Sequence, residues 1–422
     1  MNKKYKIGII GLGYVGLPLA IEFSKKYDVV GFDINPERVS QLNKFVDETN
    51  EVLIEELKQT LIKNQINISN NFEDISECNI YIITVPTPVD KNKNPDLFFL
   101  KEASTNVSSY LKKGDIVIYE STVYPGCTEE VCVPILEKNS GLNYNTDFFC
   151  GYSPERINPG DKVNTLTKIK KVTSGSTNEV SKIVDDLYKS IIIAGTYLAP
   201  SIKVAEASKA IENAQRDLNI SFMNELALIF DKMDLDTNEV LDAASTKWNF
   251  LKFKPGLVGG HCISVDPYYL TYKSKLLGYE PKVILSGREV NNKIAEFIGE
   301  KTVSLMKNRG INLEKSKILI LGLTFKENCS DIRNSQVPLI INYLIQKKID
   351  VSVYDPHADN DQAYKEYNIK LIKKFDKYDG IIIAVAHDQF KKINFNKIKL
   401  SANSVLYDVK ALLKKSDSDG RL

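Results

Sequence analysis

Tyr5-Lys6-Ile7-Gly8-Ile9-Ile10-Gly11-Leu12-Gly13-Tyr14-Val15-Gly16-Leu17-Pro18-Leu19-Ala20 is the stretch that decides the fold. Residues 5–10 make a short apolar run that fits a buried strand, and Leu17–Lys26 has a helical pattern. Between them lies a GxGxxG loop, Gly11 to Gly16. Alone the motif is weak. Here it follows a strand, opens a helix, and Asp33 closes the next strand, Val29–Phe32. In that setting Gly11 makes the turn, Gly13 admits a pyrophosphate, and Gly16 lets helix pack on strand. The helix N-terminus offers free N–H groups to phosphate, with Tyr14 and Val15 in the loop among the expected cofactor contacts. A carboxylate at Asp33 accepts hydrogen bonds from ribose hydroxyls and repels a 2′-phosphate, so NAD is expected over NADP. Arg38 is either a contact to the adenosine ribose or phosphate, or a solvated helix charge.

Outward from this loop, short strands at Asn79–Val85 and Ile116–Glu120 alternate with helical patterns to about residue 195. That alternation predicts a parallel sheet with helices on both faces. From Ile202 to about Met233 the pattern changes. Val204, Ala207, Ile211, Ala214, Leu218 and Phe222 recur at helical spacing with no Gly or Pro between them. One helix of about 30 residues is expected, longer than the usual 10–14. Helical patterns follow at Asn238–Ala244 and Glu289–Met306. A second, smaller α/β unit starts near Ser316, with strands at Lys317–Leu321, Val351–Tyr354, Gly380–Val385 and Val405–Tyr407 and a helix at Pro338–Lys347. The tail after Lys414 reads as frayed.

Composition excludes several classes. The formal net charge is only +2, which gives no reason to expect nucleic acid as partner. The cysteines at 78, 127, 132, 150, 262 and 329 form no CxxC pair and there are three histidines, so no metal site is expected. Lys3, Lys4 and Lys6 before an apolar run mimic a signal peptide, but Gly8, Gly11, Gly13, Gly16 and Pro18 break that run. No stretch approaches the roughly 20 apolar residues of a membrane span. A cytoplasmic protein without a membrane partner is expected.

The second informative stretch is Gly259-Gly260-His261-Cys262-Ile263-Ser264-Val265-Asp266-Pro267. Paired glycines let backbone approach a ligand closely. If Val265 and Asp266 open a helix, Asp266 falls one turn from Cys262. Cys262 is then either a nucleophile with a polar partner or a small buried hydrophobe. Lys209 and Asn213 are an i, i+4 pair within the long helix, either an oxyanion site or a solvated face.

GIIGLGYVGLPLA, the Thr84–Pro88 turn TVPTP, Glu120-Ser121-Thr122, Ser153-Pro154-Glu155-Arg156, the GGHC motif and Gly322-Leu323-Thr324-Phe325-Lys326 occur in this order along the chain. Together they resemble the UDP-glucose/GDP-mannose 6-dehydrogenase family of nucleotide-sugar dehydrogenases. Lys247-Trp248-Asn249-Phe250 through Cys262 resembles its UDP-N-acetylhexosamine branch, which makes uronic acids for capsule and O-antigen polysaccharides. The resemblance implies three domains: an NAD-binding Rossmann-type domain at 1–198, a central helical dimerisation domain at 199–312, and a smaller Rossmann-like UDP-sugar domain at 313–422. It implies a homodimer and a four-electron oxidation of C6 using two NAD and one water. Cys262 matches the family nucleophile, and Asp266 the position that assists water or polarises the site. Lys209 and Asn213 match residues that contact substrate and stabilise tetrahedral intermediates.

By the same resemblance Glu155 contacts substrate as an acid/base group and Arg156 lies beside it. The glucose-type enzymes carry a second glutamate where this chain has Pro159. Thr122 and Thr87 match positions near water or the nicotinamide. Phe250 to Gly256, with Lys254, and then Gly259 and Lys326, match the substrate contacts. Arg333 matches an arginine reaching NAD, or it makes an ion pair with Asp331. Lys410 matches a basic residue that some relatives place near uracil or ribose. Ser264 stands where close relatives often carry glycine. The competing expectations are a UDP-N-acetylmannosamine or UDP-glucose dehydrogenase, a two-electron dehydrogenase of the 6-phosphogluconate or 3-hydroxyacid type, and a non-catalytic NAD-binding protein.

Overall fold

Strand β1 (Lys6–Ile10) lies inside an eight-stranded sheet in this computed structural model, which describes residues 5–63, 65–156, 163–260 and 263–422. The chain divides into two compact units, Met1–Glu212 with Tyr268–Tyr279, and Asn213–Pro267 with Glu280–Leu422.

In the first unit the strands are β2 (Asp28–Phe32), β3 (Ile66–Ser69), β4 (Ile80–Ile83), β5 (Ile116–Tyr119), β6 (Phe149–Tyr152), β7 (Lys171–Gly175) and β8 (Thr196–Leu198). Their order across the sheet is β3-β2-β1-β4-β5-β6-β7-β8. Strands β1 to β6 are parallel, with Ile7 paired to Val29 on one side and to Ile80 on the other. Both faces are covered at β1, β4 and β5, so these strands are continuous apolar runs, whereas the edge strand β3 alternates buried and exposed residues. Ile7 and Ile9 are fully buried and pack with Leu17, Ala20 and Ile21 of helix Gly16–Ser24. Each such side chain contributes about 1.5–3 kcal/mol by burial, so Ile9→Asp would dismantle this layer. The expected parallel arrangement stops at β6. β7 enters antiparallel, pairing Gly151 with Gly175 and Tyr152 with Ser174. Among the described residues the β6–β7 connection holds only a short turn of helix, Leu166–Lys168, and lacks the long crossover that a parallel return uses.

Strand order reverses between β1 and β4, and in open α/β sheets ligands bind at that switch, beyond the carboxyl ends of the strands. Gly11 and Thr84 occupy this position. The Thr84 hydroxyl donates to the Gly11 carbonyl at 2.7 Å and ties the two strand ends together.

The long helix spans Ile202–Lys232, 31 residues, and the division between units falls within it. The second unit contains helix Lys282–Asn308 and a five-stranded parallel sheet. Its strands are β9 (Lys317–Leu321), β10 (Asp350–Tyr354), β11 (Gly380–Ile383), β12 (Val405–Asp408) and β13 (Gly420–Arg421), in the order β10-β9-β11-β12-β13. Ile294, Ile298 and Met306 of the helix pack on Ile318, Ile320 and Ile382 of the sheet.

The tail is not frayed. Residues 420–421 add the edge strand β13, and Leu422 is buried. Arg421 donates to Asp236 at 2.7 Å, and Arg309 pairs with Asp419 at 2.5 Å. Those partners lie far away in sequence, so no local pattern announces the docking. No helix among the described residues is long and apolar enough to cross a membrane.

Candidate active site

The glycine loop is built as its spacing requires. Gly11 has φ +97°, a left-handed conformation that favours glycine, and its N–H donates to the Phe32 carbonyl at 2.8 Å. A Cβ on Gly16 would lie 1.8 Å from the Gly11 carbonyl oxygen, so the helix sits directly on the turn. A Cβ on Gly13 would meet nothing within 4 Å, so this residue faces open space. The Asp33 carboxylate accepts from the Leu12 N–H and the Asn35 N–H, both at 2.9 Å, and fixes the loop. Asn35 in turn caps helix Pro36–Asn43 through the Glu37 and Arg38 N–H groups. A cavity of about 270 Å³ opens here, with Gly13, Asp33 and Arg38 among its lining residues. Open space at Gly13, a helix N-terminus and a ribose-height carboxylate fit a dinucleotide.

Arg38 is not a solvated charge. It is buried, donates to the Leu12 carbonyl through Nε and Nη2 at 3.1 and 2.9 Å, and pairs with Asp47 at 2.8 Å. It therefore holds the loop from beneath. Burial pushes the Asp47 carboxyl up, but hydrogen bonds from Thr49, Arg38 and the Val52 N–H outweigh it and hold it below the ordinary range.

A similar corner in the second unit is held differently. Gly322 has φ +96°, and Asp355 accepts from the Leu323 N–H at 2.6 Å and the His357 N–H at 2.7 Å. Asp355 also takes the Thr324 N–H at 3.0 Å and faces His387 Nε2 at 3.0 Å. Leu323, Thr324 and Phe325 follow the glycine where the first loop has further glycines. This carboxylate is occupied by protein donors, whereas the first corner opens onto the cavity beside Gly13.

Along the switch of the first sheet, the Thr87 hydroxyl donates to the Thr122 carbonyl at 2.7 Å, and Tyr269 Oη donates to the Thr87 carbonyl at 2.8 Å. Thr122 is half-buried with its side chain at the end of β5. Glu155 lies just past β6, buried, with Oε2 2.5 Å from Lys171 Nζ and Oε1 accepting the Arg156 N–H at 2.5 Å. Lys171 also reaches Glu120 at 2.6 Å, and Tyr188 Oη donates to the other Glu120 oxygen. Burial pushes the Glu120 carboxyl up, and the lysine only partly offsets it. Burial pushes the Lys171 ammonium down, but the two carboxylates outweigh it and hold it above the ordinary range. Glu120 and Lys171, which hold the Glu155 carboxylate in this buried cluster, were not among the expected residues. A lysine opening a buried strand was the available signal. Arg156 forms an ion pair with Glu212.

On the long helix Lys209 is buried and Asn213 fully so, which excludes a solvated face. One turn earlier, Glu206 accepts from the Gly126 N–H at 2.5 Å and the Thr128 N–H at 2.9 Å. Burial pushes its carboxyl up to about 7 against those two donors.

In the second unit, Asn213 Nδ2 donates to Asp266 Oδ2 at 2.5 Å. A carboxylate only accepts, so Asp266 fixes which end of the amide is the donor. Asn213 Oδ1 is buried with no partner among the described residues. Ile263–Val265 form a turn and helix Asp266–Leu276 opens at Asp266 itself. His261, Cys262 and Pro159 lie outside the described residues. The paired glycines fit the protein's own packing. A Cβ on Gly259 would lie 2.6 Å from the Asn334 carbonyl oxygen, and one on Gly260 2.7 Å from the Phe325 ring. Ser264 donates to the Gly260 carbonyl at 2.6 Å.

Phe250 is half-buried and Lys254 exposed on an irregular segment that runs on through Gly256 to Gly259. Lys410 Nζ donates to the Pro255 carbonyl at 3.2 Å. Burial lowers the Lys410 pKa and the Lys254 charge adds to this, against Glu327, so an anion beside these lysines would be welcome. Lys326 is half-buried, with Nζ 5.5 Å from the Phe325 ring centre. Arg333 makes the ion pair with Asp331 that was its alternative reading, through Nε at 2.9 Å and Nη2 at 2.6 Å. Among the described residues no cluster of His, Cys, Asp or Glu could hold a metal.

A sheet in this order, with an open glycine loop and a loop-fixing aspartate, defines a dinucleotide-binding protein. Models of the UDP-glucose/GDP-mannose dehydrogenase family match its NAD-binding domain at residues 5–192, its central domain at 203–293 and its UDP-binding domain at 319–415. The chain is 54% identical to a UDP-N-acetyl-D-glucosamine 6-dehydrogenase of Pseudomonas aeruginosa, covering 100% of both chains. It is 53% identical to the enzyme of that name from Salmonella typhi, covering 99% of this chain and 98% of the relative. The structure of a UDP-D-ManNAc dehydrogenase from Pyrococcus horikoshii superposes with a TM-score of 0.89 at 29% identity, covering 99% of this chain and 98% of that one. The chain belongs to the UDP-glucose/GDP-mannose dehydrogenase family and is an NAD-dependent nucleotide-sugar 6-dehydrogenase.

Proposed function

We propose that this enzyme oxidises the C6 hydroxyl of a UDP-N-acetylhexosamine, with the gluco or galacto configuration, to the uronic acid. The observation that carries this reading is the full-length identity to the UDP-N-acetylglucosamine enzymes, well above that to the mannosamine enzyme. The product would serve surface-polysaccharide synthesis. The domains we assign are NAD-binding at 1–198, helical at 199–312 and UDP-sugar-binding at 313–422.

NAD held at the Gly11–Gly16 loop would supply the hydride acceptor for each oxidation, with NADH exchanged for a second NAD between them. The residues of the chain do the rest. Cys262 adds as thiolate to the C6 aldehyde, forming a C–S bond and a thiohemiacetal oxyanion. The Lys209 ammonium and the Asn213 Nδ2 hydrogen not given to Asp266 stabilise that oxyanion. After the second oxidation the carbon is a thioester. Glu155, with Thr122 and Asp266 assisting, takes a proton from the attacking water. The C–S bond breaks, Cys262 leaves as thiolate, and the carboxylate is released. Lys254, Lys326 and the backbone of Phe250–Gly256 hold the diphosphate and sugar.

The homodimer we infer uses the long helix. Val204, Ile211, Phe222 and Ile229 are all exposed, and their spacings return to one helical face.

NADH formation against UDP-N-acetylglucosamine, UDP-N-acetylgalactosamine, UDP-N-acetylmannosamine and UDP-glucose tests the substrate. The first two should give the highest kcat/KM, and a higher value for UDP-glucose overturns the assignment. Cys262→Ser should abolish uronic acid formation, and an unchanged yield removes the cysteine from the mechanism.

A further inference from the structure

The segment Phe250–Gly256 has no regular secondary structure, yet its end is held by a buried polar chain. Asn224 Oδ1 accepts the Gly256 N–H at 2.7 Å while its Nδ2 donates to the Gly256 carbonyl at 3.0 Å. One amide thus grips both main-chain groups of one residue. Asn224 Nδ2 also donates to Asn291 Oδ1 at 2.7 Å. Asn291 Nδ2 donates to Asp217 Oδ1 at 2.7 Å, and Arg288 Nη1 donates to the same oxygen at 2.6 Å. Asn224, Asn291, Asp217 and Arg288 are between 0 and 3% exposed.

This chain has a direction. Asp217 only accepts, so the Asn291 amide must turn its nitrogen to Asp217 and its oxygen to Asn224. Asn224 must then present nitrogen to Asn291 and to the Gly256 carbonyl, leaving its oxygen for the Gly256 N–H. Flipping either amide sets donor against donor and acceptor against acceptor. Gly256 itself has φ +153°, and a Cβ there would lie 2.7 Å from Lys410 Nζ, which bonds the adjacent Pro255 carbonyl.

We propose that Asn224, oriented through Asn291 by the buried Asp217–Arg288 pair, is a positioning residue that sets the Phe250–Gly256 backbone for the nucleotide sugar. This rests on the reading that the segment holds that substrate. The network binds no substrate atom; it fixes main-chain groups that do, so its loss acts on sugar binding and leaves the cofactor alone.

The experiment measures KM for UDP-N-acetylglucosamine and for NAD separately, with kcat and the melting temperature, for Asn224→Ala, Asn291→Ser and Gly256→Ala in the full chain. Asn224→Ala should raise the sugar KM about tenfold with the NAD KM unchanged. Asn291→Ser, which keeps Asn224 and removes the amide that orients it, acceptor to Asn224 and donor to Asp217 together, should raise the sugar KM about threefold and decides the matter if Asn224→Ala does not fold. Gly256→Ala perturbs the segment directly. If it raises the sugar KM while the two asparagine variants do not, the positioning role is overturned and the segment's role stands. If none of the three moves the sugar KM, the segment does not hold the sugar and both fall. Equal rises in the KM values for sugar and NAD, with a lower melting temperature, also overturn the proposal.

Discussion

Asp33→Asn separates the loop-fixing role of this carboxylate from the ribose contact we propose for it. In the wild type its oxygens accept the Leu12 and Asn35 N–H groups, both at 2.9 Å, and each keeps a lone pair for a ribose hydroxyl. Asparagine has one accepting oxygen, so at least one charge-assisted hydrogen bond is lost. Such bonds contribute about 1.5–3 kcal/mol, or about 10- to 100-fold in NAD affinity. A 2′-phosphate about 5 Å from the carboxylate is repelled by about 3 kcal/mol per unit charge at an effective dielectric of 20. Removing that charge should narrow the NAD-to-NADP preference by about a hundredfold or more. NADP should still not bind as NAD binds the wild type, because Arg38 stays committed to the Leu12 carbonyl and Asp47. Calorimetric titration of both nucleotides, without sugar, reads this directly. A preference ratio unchanged in the variant would refute the assignment of Asp33 as the discriminating group.

Three further outcomes follow from buried charge and exposed apolar surface. Burial raises the Glu206 carboxyl from its ordinary 4.5 to about 7, so the folded state holds its proton more tightly than the unfolded state. Stability from this group is complete below about 4.5 and is lost as pH rises through about 7, by about 3 kcal/mol. Glu206→Gln should flatten the fall in denaturation midpoint between pH 5 and pH 8, and a parallel pH dependence contradicts this. Lys171→Met leaves Glu120 and Glu155 buried without their cation and should destabilise by about 3–5 kcal/mol. Lys171→Arg should retain most of the melting temperature, and equal losses in both variants would argue against a charge effect. Phe222→Asp should convert a dimer to monomer in light scattering, whereas an unchanged mass moves the interface elsewhere.

What was legible in the sequence was what local pattern encodes. β9 was expected at Lys317–Leu321 and lies there, because a buried parallel strand is an unbroken apolar run. The glycine loop and Asp33 could be placed because turn, open approach and close packing each demand a residue type at a fixed spacing. β7 was not legible. Its sequence KVTSG is half polar, and those groups are satisfied by distant partners: Lys171 by Glu120, Thr173 by Asp185, Ser174 by the Tyr152 carbonyl. Local sequence does not decide between ligand contact and solvent for Arg38, because Asp47 reaches it through tertiary folding. The burial of Lys209 and Asn213 is not legible either, since helical spacing cannot tell a filled pocket from a wet face. The docked tail and the Asn224 network escaped notice for the same reason: their partners lie up to 185 residues apart.

The most direct measurement of the central claim is the NADH yield from limiting UDP-N-acetylglucosamine with excess NAD. A four-electron oxidation through a Cys262 thioester gives two NADH and one uronic acid per sugar. One NADH per sugar, with the aldehyde as final product, would contradict it.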